Sequence, residues 1–573
     1  MNELLFLKDI KRGEEPFSFY PRPMLERDSY ICLNGKWRLA IEKNETGKTE
    51  PSGYPYEITV PFPPQSALSG VNVTVGQKDL LFYKRSFEKP LMKEGERLLL
   101  HFGGVDNQAA VFVNGEKVGE HVGGYLPFGF EITPFLKEGE NRLSVVVQDE
   151  TDPAYPYGKQ KIKRGGMWYT PVSGIWQTVF LEVVPQKHIE GIRTLTTKKG
   201  VEITVLGGEE EKTLLLEGKE YSFKGESLLL PAENFEDWSP EHPRLYFFTV
   251  KSGKDEVRSY FAKRTVEIKD GDILVNGKKY FFHGLLDQGY HPDGIFLPPC
   301  EEELTKDILR SKSLGFNMLR KHIKIEPQLF YYFCDVLGMF VFQDMVNSGK
   351  YSFFRDTALP TVGLKKLPDS GVFCRVNEQT RDFFIKHSKG IIEALYNHPS
   401  VVYYTIFNEG WGQFDCDKVY EELKDADPSR VFDATSGWFE GKKSDVRSLH
   451  VYFKKFKAPK RKGMRPLILS EFGGYSLPVM GHRFNTEKNY GYSTYSDREA
   501  FEEAFLSLYE REILPAIGKG LQGTVYTQLF DVEDETNGLY TYDRQVCKVT
   551  PERMRGLAER LYQAAAKEAK EEQ

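Results

Sequence analysis

Apolar and polar positions alternate in short runs over the first third of the chain. Gln108–Val122 holds two such runs that meet at Asn114-Gly115, a pair suited to the left-handed conformations of a two-residue hairpin turn. Phe130–Asp149 adds another pair around Gly139. Strands at this spacing up to about residue 185 predict a jelly-roll β-sandwich. From 186 to 266 the short runs continue, as in Gly191–Lys198, Val201–Gly207, Lys212–Phe223, Arg244–Gly253 and Val257–Asp270. This length and pattern suit a small immunoglobulin-like sandwich, although no cysteine pair marks it.

The rhythm changes from residue 267 to the end at 573. Eight strand-like runs are separated, mostly, by longer segments with apolar residues three and four apart. The runs are Lys279–Asp287, Phe316–Ile323, Met339–Val346, Val401–Glu409, Val431–Gly437, Asp445–Tyr452, Pro466–Gly474 and Gly523–Asp531. Helical patterns include Glu301–Gly315, Glu378–Pro399 and Ser496–Gly520. Eight strands with intervening helices predict a catalytic (β/α)8 TIM barrel. The link between the fifth and sixth strands is too short for a full helix, a departure from the ideal.

Active sites of such barrels lie at the carboxyl ends of the strands, and those ends are polar or aromatic here. They carry, in order, Asp287, then Arg320 and His322, Asp344, Asn408-Glu409, Trp438, then His450 and Tyr452, Glu471, and finally Gln528 and Asp531. Glu409 and Glu471 each close an apolar run and are followed by glycines. The fourth and seventh strands face each other across an eight-membered ring, so the two carboxylates are predicted to oppose one another. Glycoside hydrolysis needs such a pair, one protonating the leaving oxygen and the other attacking the anomeric carbon or activating water. Their separation decides between retention, at about 5–5.5 Å, and inversion, at roughly 6.5–9.5 Å.

Composition narrows the classes. The 573 residues are 40% hydrophobic and 28% charged with a net charge of −6, a balance expected of a folded multidomain protein. No basic stripe suggests nucleic acid, and the short basic run Ala458–Arg465 reads as a solvated loop. Aromatics reach 14%; such rings suit sugar faces, but most of them fit sandwich cores. No run of 18 apolar residues predicts a membrane span, and the first residues lack the basic start of a secretory signal. Six cysteines without a CxxC pair suggest reduced thiols, a cytoplasmic location and no zinc site. No HExxH, Walker A or GxGxxG motif occurs. The tail Ala564–Gln573 reads as a solvated helix end.

Four stretches together resemble glycoside hydrolase family 2: Ser173–Glu182, Gly315–His322, Asn397–Glu409 and Pro466–Gly474. The resemblance implies a jelly-roll sugar-binding domain, an immunoglobulin-like domain and a catalytic barrel, in that order, over nearly the whole chain. It implies a retaining exo-β-glycosidase with Glu409 as acid/base and Glu471 as nucleophile. Arg320 is expected near the nucleophile, Tyr452 to donate a hydrogen bond to it, and Asn408 to bind the sugar 2-hydroxyl. Trp438 and Trp411 are candidates for sugar stacking or for core packing. His322 and His450 are candidates for substrate contacts or for structural roles. Asp287 and Asp344 either hold glycone hydroxyls or pair with Arg320 and Lys321. Trp168 stands in a loop that the family sends into the site, where some relatives place an acidic residue. Gln528 replaces the family's common tryptophan after the eighth strand, and the Asn-x-Lys pair of its glucuronidases is absent. Both departures weaken a glucuronidase assignment, the first-named leaves the glycone pocket open, and a β-galactosidase-like activity is the reading favoured. A β-uronidase (glucuronidase or galacturonidase), using Lys321 and Lys324, is the alternative, and a non-catalytic carbohydrate-binding protein the distant one. No metal or cofactor is called for; the partner expected is a small-molecule or oligosaccharide β-glycoside, with homo-oligomers left open.

Overall fold

The protein is described by a computed structural model over residues 15–44, 50–361, 376–452, 454–459 and 465–571. The basic run at 458–465 falls mostly outside these residues, as do the first 14.

The first sandwich faces a six-stranded antiparallel sheet against a four-stranded one. Its longest ladder pairs Asp79–Glu88 with Glu140–Gln148. Along Glu140–Gln148 buried positions alternate with more exposed ones, which is how one face of a strand meets a core. Trp37, Leu81, Leu100, Val111 and Val145 fill the space between the sheets. Asn114 and Gly115 have φ of 55° and 90° and join Gln108–Val113 to Glu116–Val122 as a hairpin, as their residue types demand. The expected pair around Gly139 is corrected. Phe128–Glu131 joins the four-stranded sheet and Glu140–Gln148 the six-stranded one, so the connection crosses between layers and forms no hairpin.

The second sandwich packs a three-stranded sheet, Ile189–Thr196, Gly200–Gly207 and Ser227–Pro231, on a four-stranded one. Ile203, Val205, Leu214, Val250 and Phe261 are buried between them. The described cysteines, Cys32, Cys300, Cys334, Cys416 and Cys547, are all free thiols.

The last part is an eight-stranded parallel barrel. Its strands are β1 (Phe282–Asp287), β2 (Met318–Lys321), β3 (Phe340–Asp344), β4 (Val401–Asn408), β5 (Val431–Ser436), β6 (Arg447–Val451), β7 (Leu467–Gly473) and β8 (Leu521–Thr527). They run in the order β5-β4-β3-β2-β1-β8-β7-β6. The ladder is open between β5 and β6, where no helix intervenes. The Asp445 amide donates to the Phe432 carbonyl (3.0 Å), and the Asp445 carboxylate accepts from the Phe432 amide (2.8 Å), which closes the seam by other means. All eight residues of β4 are buried, because its inward side chains fill the barrel while its outward ones meet helices. Phe342 and Tyr403 stack at 4.1 Å inside. Surrounding helices include Glu301–Ser313, Gln328–Leu337, Glu378–Leu395, Cys416–Ala426, Arg498–Leu508 and Pro551–Glu571.

A loop of the first sandwich docks on the barrel mouth. The Tyr157 amide donates to Asn347 O (3.1 Å) and its hydroxyl to Gly349 O (2.9 Å). Among the described residues no helix is long and apolar enough to cross a membrane.

Candidate active site

At the end of β4 the chain must leave the barrel while holding Glu409 at the mouth. Glu409 has φ of 54°, a region that non-glycine residues rarely adopt. Gly410 and Gly412 follow with φ of 71° and 66°. A Cβ on Gly410 would sit 2.0 Å from the Phe439 ring, and one on Gly412 2.0 Å from Ser348 O. Both positions therefore require glycine for conformation and for space. Trp438 then pins the bend, its indole N–H donating to Glu409 O (2.8 Å).

Glu471 reaches the same place from β7. One oxygen of each glutamate and a ring nitrogen of His450 all lie within 4.8 Å of one another. Three such groups are also a set that can hold a metal ion, but each already has a protein partner. His450 Nδ1 faces Glu409 Oε1 at 2.8 Å, and its Nε2 faces Ser436 Oγ at 2.9 Å. Glu471 is bound by Arg320 and Tyr452.

Arg320, on β2 and 1% exposed, organises the floor. Its Nε donates to Asp344 Oδ1 (2.9 Å), and Nη1 to Glu471 Oε1 (2.9 Å) and Ser470 O (2.9 Å). Nη2 donates to Asn408 Oδ1 (2.8 Å). A planar guanidinium can satisfy four acceptors at once, which a lysine cannot. Tyr452 donates to Glu471 Oε2. Burial alone would push the Glu471 carboxyl up, but His450, Arg320, His322 and the Tyr452 hydroxyl outweigh it and bring it down to about 2. Glu471 is thus a carboxylate at neutral pH. Burial and the Glu471 charge raise the Tyr452 phenol well above its usual value, which keeps it a donor. Asp344 is raised by burial and lowered by more, through Arg320 and His322. Burial, helped by Lys159, lowers His322 to about 4; its Nδ1 is tied to Asp344 Oδ2 (2.7 Å), leaving Nε2 for the pocket.

The expected site residues divide by position. Asn408, Glu409, Trp411, His322, Tyr452 and Glu471 line one pocket. Arg320, Asp344, Trp438 and His450 are not among its lining residues. Asp344 pairs with Arg320 (2.9 Å), Trp438 bonds to Glu409 O (2.8 Å) and His450 to Glu409 (2.8 Å), which are the pairing, packing and structural roles the sequence left open for them. Asp287 does not line the pocket; it accepts from Lys321 Nζ (2.8 Å). Trp168 packs edge-on against Trp411 at 4.7 Å, and its neighbour Met167 lines the pocket instead. Gln528 is fully buried; it accepts from Gln288 Nε2 (3.0 Å) and donates to Asn537 Oδ1 (2.7 Å). Lys321 and Lys324 are buried and committed. Lys321 also pairs with Glu326 (2.7 Å), and Lys324 donates to Phe296 O (2.8 Å) and pairs with Glu326 (3.0 Å).

Sequence reasoning missed several lining residues: Gln288, Tyr351, Asp356, Tyr492, Glu535 and, from the first sandwich, Lys159. Apart from Tyr492, which stacks on Tyr452 at 4.0 Å and lies 40 residues further along the chain, they carry no signal beyond their residue type. All stand outside the strands, where periodicity says nothing.

Comparison with known proteins gives a family. Residues 52–185 match the model of the sugar binding domain of glycosyl hydrolases family 2, and residues 266–544 match that family's TIM barrel domain. The chain is 27% identical over 435 residues to a beta-galactosidase of Kluyveromyces lactis, covering 66% of this chain and 40% of the relative. It is 26% identical over 438 residues to a putative beta-glucuronidase of Formosa agariphila, covering 65% and 49%. The chain thus spans less than half the length of these two curated relatives. Among solved structures, a beta-glucuronidase from an uncultured Clostridium sp. superposes with a TM-score of 0.76 at 19% identity, covering 94% of this chain and 99% of that one.

Proposed function

The chain belongs to glycoside hydrolase family 2, and from that premise we propose that it is a retaining exo-β-glycosidase acting on terminal β-linked sugars, β-galactosidase-like in its glycone. In this reading residues 1–185 form the jelly-roll sugar-binding domain, 186–266 the immunoglobulin-like domain and 267–573 the catalytic barrel. The observation that carries it is the approach of Glu409 and Glu471 to within 4.8 Å. An oxygen–oxygen approach of this size supports the roughly 5–5.5 Å carboxyl spacing of direct attack by a carboxylate over the roughly 6.5–9.5 Å spacing of an inverting pair.

Glu409 is the acid/base and Glu471 the nucleophile. Ser470 Oγ is directed at Leu449 O (3.3 Å) and Ser436 Oγ at Ser470 Oγ (2.9 Å). Ser436 therefore accepts from His450 Nε2–H, and one proton is held between His450 Nδ1 and Glu409 Oε1. In the first step that proton passes from Glu409 to the glycosidic oxygen while a Glu471 oxygen bonds to the anomeric carbon. The aglycone leaves as an alcohol, and Arg320 and Tyr452 stabilise the carboxylate before it is consumed. In the second step Glu409 takes a proton from water, the water oxygen bonds to the anomeric carbon, and Glu471 is released. Two inversions retain the configuration. Asn408, its carbonyl taken by Arg320, offers its amide N–H to the sugar 2-hydroxyl.

An uncharged glycone is favoured over a uronate because Lys321 and Lys324 are spent on protein acceptors. The test is a panel of nitrophenyl β-glycosides (galactoside, glucuronide, galacturonide, mannoside, arabinoside, fucoside) with the wild type and Glu471→Gln. Chromophore release fastest from the galactoside and abolished by Glu471→Gln is expected. Equal release by the variant refutes the nucleophile, and no release by the wild type favours a carbohydrate-binding protein.

A further inference from the structure

The cations around the barrel mouth are nearly all committed. Arg320 makes four hydrogen bonds, Lys321 and Lys324 share Glu326, and Lys548 pairs with Asp531 (2.6 Å). Lys159 differs. It lines the pocket, yet among the described residues no carboxylate lies within the 4.0 Å of an ion pair from its Nζ. Its backbone is fixed on both sides. Tyr157 is bonded to Gly349 O (2.9 Å), Gln160 donates to Asp106 Oδ2 (2.8 Å), and Lys159 O accepts from the Tyr169 amide (3.0 Å). A long, unpaired cation on a fixed backbone is placed to meet a ligand.

Glu535 is its counterpart. It lines the same pocket, is 4% exposed, and has no cation within ion-pair distance among the described residues. Two neutral donors hold it, the Tyr169 hydroxyl and Gln528 Nε2 (3.3 Å). Its backbone is tied to Val532 by two hydrogen bonds of 2.9 and 3.0 Å. Tyr169 links the two groups, for the Lys159 ammonium lies 5.7 Å from the centroid of the ring whose hydroxyl binds Glu535. The two groups lie beyond ion-pair distance of each other, while the Lys159 charge acts electrostatically on the Glu535 carboxyl.

We propose that Lys159 and Glu535 form a clamp for hydroxyl groups of an uncharged glycone, the ammonium donating to a sugar oxygen and the carboxylate accepting a sugar O–H. A uronate carboxylate in the same place would gain Lys159 but face Glu535 as a like charge, and a neutral diol satisfies both. This makes a loop of the first sandwich and the loop after β8 joint determinants of specificity. The clamp rests on the glycosidase reading above, and the experiment separates the two.

The experiment measures kcat/KM for the best-cleaved nitrophenyl glycoside and for its 3-, 4- and 6-deoxy analogues, with the wild type, Lys159→Met, Lys159→Arg and Glu535→Gln. On the parent substrate Lys159→Met and Glu535→Gln are each expected to lose roughly 10- to 100-fold, the range for a hydrogen bond to a charged group. Lys159→Arg is expected to recover part of the loss. On the analogue lacking the clamped hydroxyl, each loss is expected to shrink to within about 3-fold, which a merely structural effect would not do. Equal losses on the parent and every analogue overturn the clamp. So does a wild type that prefers a uronide and loses that preference in Lys159→Met, which makes Lys159 an anion site. Turnover unchanged in both variants overturns the clamp and leaves the glycosidase reading standing; a wild type that cleaves nothing ends both.

Discussion

At the scale of single residues, the two glutamates differ in what surrounds them. Glu471 is held as a carboxylate by Arg320 and Tyr452, whereas Glu409 shares a hydrogen bond with His450. Replacing Glu409 by Gln should cost roughly 10²–10⁴ in kcat/KM on substrates with poor leaving groups and much less on an activated nitrophenyl leaving group, which needs little protonation. A loss independent of the leaving group would contradict the acid role. Tyr452→Phe removes a hydrogen bond to an ionised group and should lower kcat/KM by roughly 10- to 100-fold. Because that bond favours the charged form, its loss raises the Glu471 carboxyl above about 2, so the acid limb of the kcat/KM profile should move to higher pH. An unmoved limb would argue against Tyr452 acting on Glu471. The convergence of the two glutamates on one pocket was legible because each ends an apolar run at the same end of the barrel. The place of His450 was not, since its partners Glu409 and Ser436 come from other strands and no spacing rule connects them.

At the scale of elements, the bend after β4 concentrates the constraint. Gly412→Ala forces a Cβ to 2.0 Å from a backbone carbonyl at a φ of 66°, where strain costs about 1–3 kcal/mol. It should lower the urea midpoint and reduce activity together. Gly53→Ala, with nothing within 4 Å of its Cβ and an ordinary φ, should change neither. A Gly412→Ala protein with wild-type stability and activity would show that the bend tolerates a side chain. Legibility of elements followed locality. The Asn114-Gly115 hairpin was readable because two residues decide it. The missing helix between β5 and β6 was readable from loop length alone. The strands flanking Gly139 were found, but not their partners, because choice of sheet depends on residues as distant as Glu88 and Phe102.

At the scale of the whole molecule, the change from alternating to helical periodicity near residue 267 revealed the succession of two sandwiches and a barrel. It did not reveal that a sandwich loop completes the barrel's pocket. Folding also buries histidines without charge. His283 on β1 packs on Phe316 at 4.1 Å, and burial lowers it to about 3. An unfolded histidine titrates near 6.5, so between these values the unfolded chain binds one more proton and stability falls as pH falls. His283→Phe removes that term. Relative to wild type the variant should gain about 2 kcal/mol on going from pH 7 to pH 5, read from urea unfolding at both values; a difference independent of pH would contradict the buried neutral ring. The account as a whole turns on the closeness of Glu409 and Glu471, and proton NMR of the sugar first released from a β-glycoside tests it most directly. The β-anomer should appear first and mutarotate afterwards, whereas the α-anomer as first product would mean a single inverting displacement and contradict the proposed chemistry.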